Sequence, residues 1–363
     1  TRTDTLFPST TLFRSAGNAA PAITKAFRLA LNTSPTAGKV QDGYIRGATV
    51  FADLDSDGIL DSSEVSTTSD ALGNFNLSVS VGHVVASGGV DISTNLPLST
   101  VLRAPAGASV VNPLTTVVSA LVDTGISVNQ AQAQVTEKLG LPPGLSIGSF
   151  DPLQIAASGT ASDAQKRVAV SVYKASALVA NVLTQTTAAV LGADAALKVG
   201  SAASAAAASI ASLITTVEGG LDLSQASTLQ AVLGATAQAT GTKDKIDKVL
   251  DQLSTVMAAT NAEVSRVNPA SGDVLTALQN VVKAQVVAQG DAASAISAAR
   301  RATPVRAGSR SAARMKAGRT EAAISRRDFR ERLRLERSSP SETRARRAGS
   351  STCQPAKAVK ASR

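Results

Sequence analysis

The sequence predicts an α+β multidomain chain: a small antiparallel β-sandwich over residues 40–110, followed by an all-α helical bundle over residues 111–299. Two periodicities carry this. Phe75, Leu77, Val79 and Val81 alternate with Asn76, Ser78 and Ser80, the pattern of a strand with one apolar face. Val168, Val172, Ala175, Val179, Val182 and Leu183 recur at three and four residues, one stripe of an amphipathic helix.

Taken in order, residues 1–15 come first. Residues 5–15 (TLFPSTTLFRS) resemble a translated sequencing adapter, departing from it at Ser9. The segment is therefore expected to be an artefact, with the natural start of the protein and any export signal missing. Residues 16–39, with Asn32-Thr33-Ser34-Pro35-Thr36, read as a linker. Residues 44–51 (YIRGATVF) are β-branched and aromatic and predict a strand.

That strand runs into Asp53-Leu54-Asp55-Ser56-Asp57-Gly58-Ile59-Leu60-Asp61-Ser62-Ser63-Glu64. Carboxylates stand at loop positions 1, 3, 5, 9 and 12 and Gly at 6, the spacing of a calcium loop. A hard cation needs six to eight oxygens at about 2.3–2.6 Å, and twelve residues can wrap it once. Asp53, Asp55 and Asp57 would each give an oxygen, Ile59 its carbonyl, Asp61 an oxygen directly or through water, and Glu64 two. Leu60 is expected to anchor the loop in the core. An acidic solvated turn has a similar composition, but five carboxylates in twelve residues repel one another without a cation. After the loop, Asp70-Ala71-Leu72-Gly73-Asn74 signals a turn. Strands thus flank the loop, not the helix pair of an EF-hand.

Residues 43–80 or so, carried by the run from Gly47 to Val79, resemble the calcium-binding B-type repeats of bacterial surface adhesins and related prealbumin-like β-sandwich modules. The likeness covers about 40 residues. Asp53, Asp55, Asp57, Asp61 and Glu64 match the family's ligand positions, and Asp70 its first hairpin Asp. Leu72 stands where a second hairpin Asp is usual. The resemblance implies an extracellular or cell-surface structural or adhesive module, not an enzyme, with Ca2+ as its only cofactor and an unknown surface partner.

Short strands and turns are expected over 82–105, with His83, the only His, as an ordinary strand-end residue. Asn112-Pro113 opens a helix running to Gly125, and Ser127 caps a second ending at Leu139. A short element starts at Asp151-Pro152, and further helices read at 162–191, 224–240, 243–267 and 273–299. Residues 199–217 carry no charge and are long enough to span a bilayer, yet they are mostly Ala and Ser, so a buried helix is expected. The segment from Val111 to Thr116 (VNPLTT) is similar to one that often follows such calcium modules, and implies no activity.

The chain lacks H-E-x-x-H, C-x-x-C, G-x-S-x-G and P-loop patterns. With one His and one Cys, most nucleophile–base pairs are excluded. Cys353 can form no intramolecular disulfide. Residues 300–363 hold 19 Lys+Arg against 5 Asp+Glu, a net +14, while the remainder holds 17 against 22, a net −5. This basic tail reads as a disordered or frameshifted end. The alternatives are an arm for nucleic acid or an anionic surface, or a linker. A non-catalytic appendage of a polysaccharide-degrading enzyme, like a dockerin, fits less well, because dockerins carry two calcium loops and one is found here.

Overall fold

The computed structural model describes residues 35–270 and 273–301. The basic tail beyond residue 301 and the adapter-like residues 1–15 lie outside them, as does most of the expected linker. The fold is mixed α and β, with small sheets and several helices, and its strands come first.

The strands are β1 (Thr36–Val40), β2 (Ile45–Arg46), β3 (Thr49–Asp53), β4 (Ser66–Thr68), β5 (Asn74–Leu77), β6 (His83–Ser87), β7 (Val90–Asp91), β8 (Val101–Ala104) and β9 (Val110–Val111). One sheet has the order β5-β1-β9, a second β4-β3-β6-β8, and β2 pairs with β7. Three expectations are corrected here. The segment read as linker to residue 39 already contains β1, which pairs with β5. The sheets are not wholly antiparallel, because β1 runs parallel to β9. The strand expected over 44–51 is split at Gly47, whose φ of +69° is a left-handed turn that breaks the extended run.

Period-2 alternation sorts the four-stranded sheet into two faces. Val50 and Ala52 of β3, Val84 and Ala86 of β6, and Leu102 and Ala104 of β8 share one core with Val40, Phe75, Leu77 and Val111 of the other sheet. The intervening residues of the same strands turn the other way. Phe51, Val85 and Val101 form a small core with Ala203 from the helices. Asp53, His83 and Arg103 belong to that second, helix-facing alternation, with Asp53 opposite His83 and Val85 opposite Arg103.

The helices are α1 (Pro113–Val122), α2 (Val128–Lys138), α3 (Pro152–Ala157), α4 (Asp163–Ala193), α5 (Val199–Thr216), α6 (Ala226–Ala239), α7 (Lys243–Ile246), α8 (Leu250–Ser265), α9 (Val274–Gln285) and α10 (Ala293–Arg301). Asn112 and Ser127 cap their helices as expected, and Ser162 caps α4 as well. Asn112, Ser127 and Ser162 each close a capping box on the residue three positions on. Lys174, off the apolar stripe of α4, donates its ammonium to the Ser265 and Val267 carbonyls at the end of α8. The helix expected over 243–267 is interrupted by a 3-10 turn at Asp247–Val249. That expected over 273–299 passes through a π-turn at Val286–Ala292, where Gln185 Nε2 donates to the Ala288 carbonyl. The helices α4 and α5 are long and apolar enough to cross a membrane by length and composition, but most of α4 is buried among the other helices.

Packing crosses the 110/111 transition from strands to helices. α1 lies against β8, and Thr115 and Thr116 bond the Arg103 backbone. Tyr44 enters a core made otherwise by helices, and its hydroxyl donates to Asp151. Because Asn112 and Thr115 are both buried at this junction, Asn112→Ala should cost about 1–2 kcal/mol. A lower urea midpoint at unchanged m-value would show it, and an unmoved midpoint would refute the cap's contribution.

A buried polar chain also joins the two layers. Asp42, in the turn between β1 and β2, accepts from Gln285 Nε2 at 2.8 Å. Gln285 accepts in turn from the Tyr173 hydroxyl. Gln289 reaches Asn181, and Asn181 reaches Asn261. Asp91 lies next to Asp42, and both carboxylates are buried. Burial and the neighbouring Asp91 charge push Asp42 up to about 7, and burial pushes Asp91 up as well.

Candidate metal centre

Strand β3 ends at Asp53, which has no exposed surface although it opens a solvent-facing loop. Its Oδ1 accepts from Ser56 N at 2.8 Å and its Oδ2 from Gly58 N at 3.1 Å. These bonds bend the chain back over the carboxylate. The bend needs left-handed backbone at Ser56 (φ +67°) and Gly58 (φ +73°). Asp55 then accepts from Asp57 N, and Asp57 from Ile59 N at 2.7 Å. As a result, one carboxylate oxygen each of Asp53, Asp55 and Asp57 lies within 4.8 Å of the others.

That spacing fits the expected ion. Oxygens bound at about 2.4 Å lie at most about 4.8 Å apart across a cation. The donor set is all oxygen, as a hard cation requires. Glu64 folds back to close the loop: its Oε1 accepts from Leu54 N at 2.7 Å and its Oε2 from Asp61 N at 3.1 Å. The structure therefore gathers three of the expected ligands. Asp61 and Glu64 lie on the same loop outside that group, and Ile59 is half-buried.

Leu60 does not anchor the loop: it is 41% exposed. The anchor is one and two residues earlier. Gly58 is buried against Gly200 of α5, and Ile59 reaches the same glycine. Asp70, the hairpin Asp of the resemblance, accepts from Leu72 N, Asn74 N and Asn74 Nδ2. Burial pushes this carboxyl up, but those bonds outweigh it and hold it below the usual range. It shapes its own turn.

Below the loop sits Arg103, 3% exposed on β8. Its Nη2 is 3.7 Å from Asp53 Oδ2, and its Nη1 donates to Asp123 Oδ2 at 3.0 Å. Asp123 is the C-cap of α1, and His83 Nε2 lies 2.7 Å from its other oxygen. Burial pushes the Asp123 carboxyl up, yet the His83 bond and the Arg103 charge hold it below the usual range. Asp53 goes the other way: burial raises it despite Arg103 and the two N–H donors. The His83 expectation holds in placement, since it begins β6. Sequence reasoning missed Arg103 and Asp123. The available signal was a single charge inside the apolar strand Val101-Leu102-Arg103-Ala104.

Comparison with known proteins adds no neighbour: no family model, no curated protein and no solved structure matches the chain.

Proposed function

We propose that the strand layer is a calcium-stabilised, prealbumin-like β-sandwich serving as a non-catalytic structural or adhesive module of a bacterial secreted or cell-surface protein. The observation that carries this reading is the loop of residues 53–64, whose first three carboxylates converge at the spacing an oxygen-bound cation requires. Two sheets enclosing one apolar core support the sandwich.

In this mechanism Asp53, Asp55, Asp57, Asp61, Glu64 and the Ile59 carbonyl would hold the ion. Calcium, when bound, neutralises carboxylates that otherwise repel. Asp53 fixes the end of β3, and Glu64 draws the start of the loop onto its end, so the strand and the hairpin after it become one stiff unit. A module of this kind suits an affinity on the order of 10⁻⁴–10⁻³ M, met where calcium is millimolar. The binding partner belongs to an extracellular surface.

The test is a calorimetric titration of the whole chain with Ca2+ and, separately, Mg2+, together with thermal melts. Heat and a higher Tm with Ca2+, weak or absent with Mg2+, are expected. No heat and an unmoved Tm would sink the calcium reading, and the adhesive-module reading with it.

A further inference from the structure

We propose that ion binding by the 53–64 loop is coupled to the seating of α5, making the loop a clasp between the strand layer and the helical layer. The proposal rests on the calcium reading above and goes past it, because the ion would then set the junction of two layers and not one hairpin alone.

Strand β3 delivers both ends of the contact. Phe51 packs with Val85 and Val101 onto Ala203 of α5, and two residues later Asp53 opens the loop. Gly58 returns to the same helix and meets Gly200, one turn before Ala203. This second contact is backbone on backbone. A Cβ at Gly200 would stand 2.4 Å from Gly58 O and 3.3 Å from Ile59 Cγ1. A Cβ at Gly58 would stand 3.2 Å from Ser204 Oγ. Residues 200, 203 and 204 share one face of α5, and only small side chains there admit the loop.

Gly58 is also tied to the carboxylates. Its N–H donates to Asp53 Oδ2, so the residue whose carbonyl faces α5 is held by an expected ligand of the ion. Arg103 ties the same Asp53 to Asp123 at the end of α1, a separate contact between the loop and the helices. Closing Asp53, Asp55 and Asp57 around a cation fixes the turn at Gly58 and thereby the surface presented to Gly200. The coupling is reciprocal: if a seated helix favours the ion, the ion favours the seat by the same factor.

Hydrogen exchange of the whole chain with and without Ca2+, combined with Ca2+ affinities of wild type, Gly200→Ala and Asp53→Asn, tests this. Ca2+ is expected to slow exchange in the first turns of α5 as well as in the loop. Gly200→Ala should keep its far-UV spectrum and bind Ca2+ roughly tenfold more weakly, while Asp53→Asn should lose the α5 protection together with the ion. Unchanged α5 exchange in a wild type that does bind Ca2+ overturns the clasp and leaves the calcium reading standing. So does wild-type affinity in a folded Gly200→Ala. A wild type that takes up no Ca2+ removes the calcium reading itself and the clasp with it. If Gly200→Ala fails to fold, the wild-type exchange pattern decides alone.

Discussion

Arg103→Met is expected to destabilise the calcium-free protein by about 3–5 kcal/mol while tightening its hold on Ca2+ by about tenfold. The first half follows from burial. Arg103 is nearly inaccessible, and its guanidinium is the countercharge beside the fully buried Asp53. Met fills much of the space but leaves Asp53 without a cation, and a buried charge stripped of its partner costs about that much. Asp123 loses less, because it is partly exposed and still has His83. The second half follows from Coulomb's law. A guanidinium 3.7 Å from a ligand oxygen also repels the ion that oxygen would bind. Removing it takes away the repulsion and frees Asp53 for the metal. Denaturant melts with chelator and with saturating Ca2+ measure both effects, and the deficit of the variant should shrink when Ca2+ is present. If wild type and variant differ equally in both buffers, Arg103 is not the resident counterion of the loop.

Two signs at one position show what kind of information a linear sequence carries. The loop was legible because its chemistry is local: six positions within twelve residues state the spacing, the charge and the turn. The first helices were legible for the same reason. Asn112 and Ser127 announce their helices through bonds to residues three positions on. Arg103 was not legible, because its partners come from β3 and from the end of α1, and only the sheet register brings them together. The Leu60 error has a related cause. A loop pattern taken from helix-flanked sites puts its apolar anchor at position 8, but here the loop leans on α5 through a contact that only Gly200 permits. Gly200 in turn looked like one more small residue in an Ala/Ser-rich helix. The breaks in the two longest expected helices of the C-terminal half arise from packing as well. At the π-turn the helix gives up its regular ladder where Gln185 from α4 takes a backbone carbonyl.

Asp42 gives the other large expected effect, and it concerns pH. Its carboxylate is buried beside that of Asp91, and the neighbours that reach it, Gln285 and Gln289, are neutral amides that supply bonds but no charge. Its folded pKa of about 7 lies above the unfolded value of 3.8. Well below the unfolded value the carboxyl is protonated in both states, and the stability linked to it is fully present. As pH rises toward 7 the unfolded chain gives up the proton while the folded chain keeps it, so stability falls. Above the folded pKa both states are ionised and the loss is complete. A gap of about three pH units corresponds to a loss of up to about 4 kcal/mol between pH 4 and pH 7. Asp42→Asn keeps an oxygen to accept from Gln285 and never ionises. It should flatten the slope and leave the variant more stable than wild type at pH 8, with little difference at pH 4. Urea melts of the two proteins in chelator across this range isolate Asp42, because the carboxylates of the 53–64 loop are common to both. Parallel slopes would mean that the buried pair does not hold its proton into the neutral range. Converging stabilities at low pH would mean that the polar chain from Asp42 to Gln285 joins strands to helices most firmly when it carries no charge.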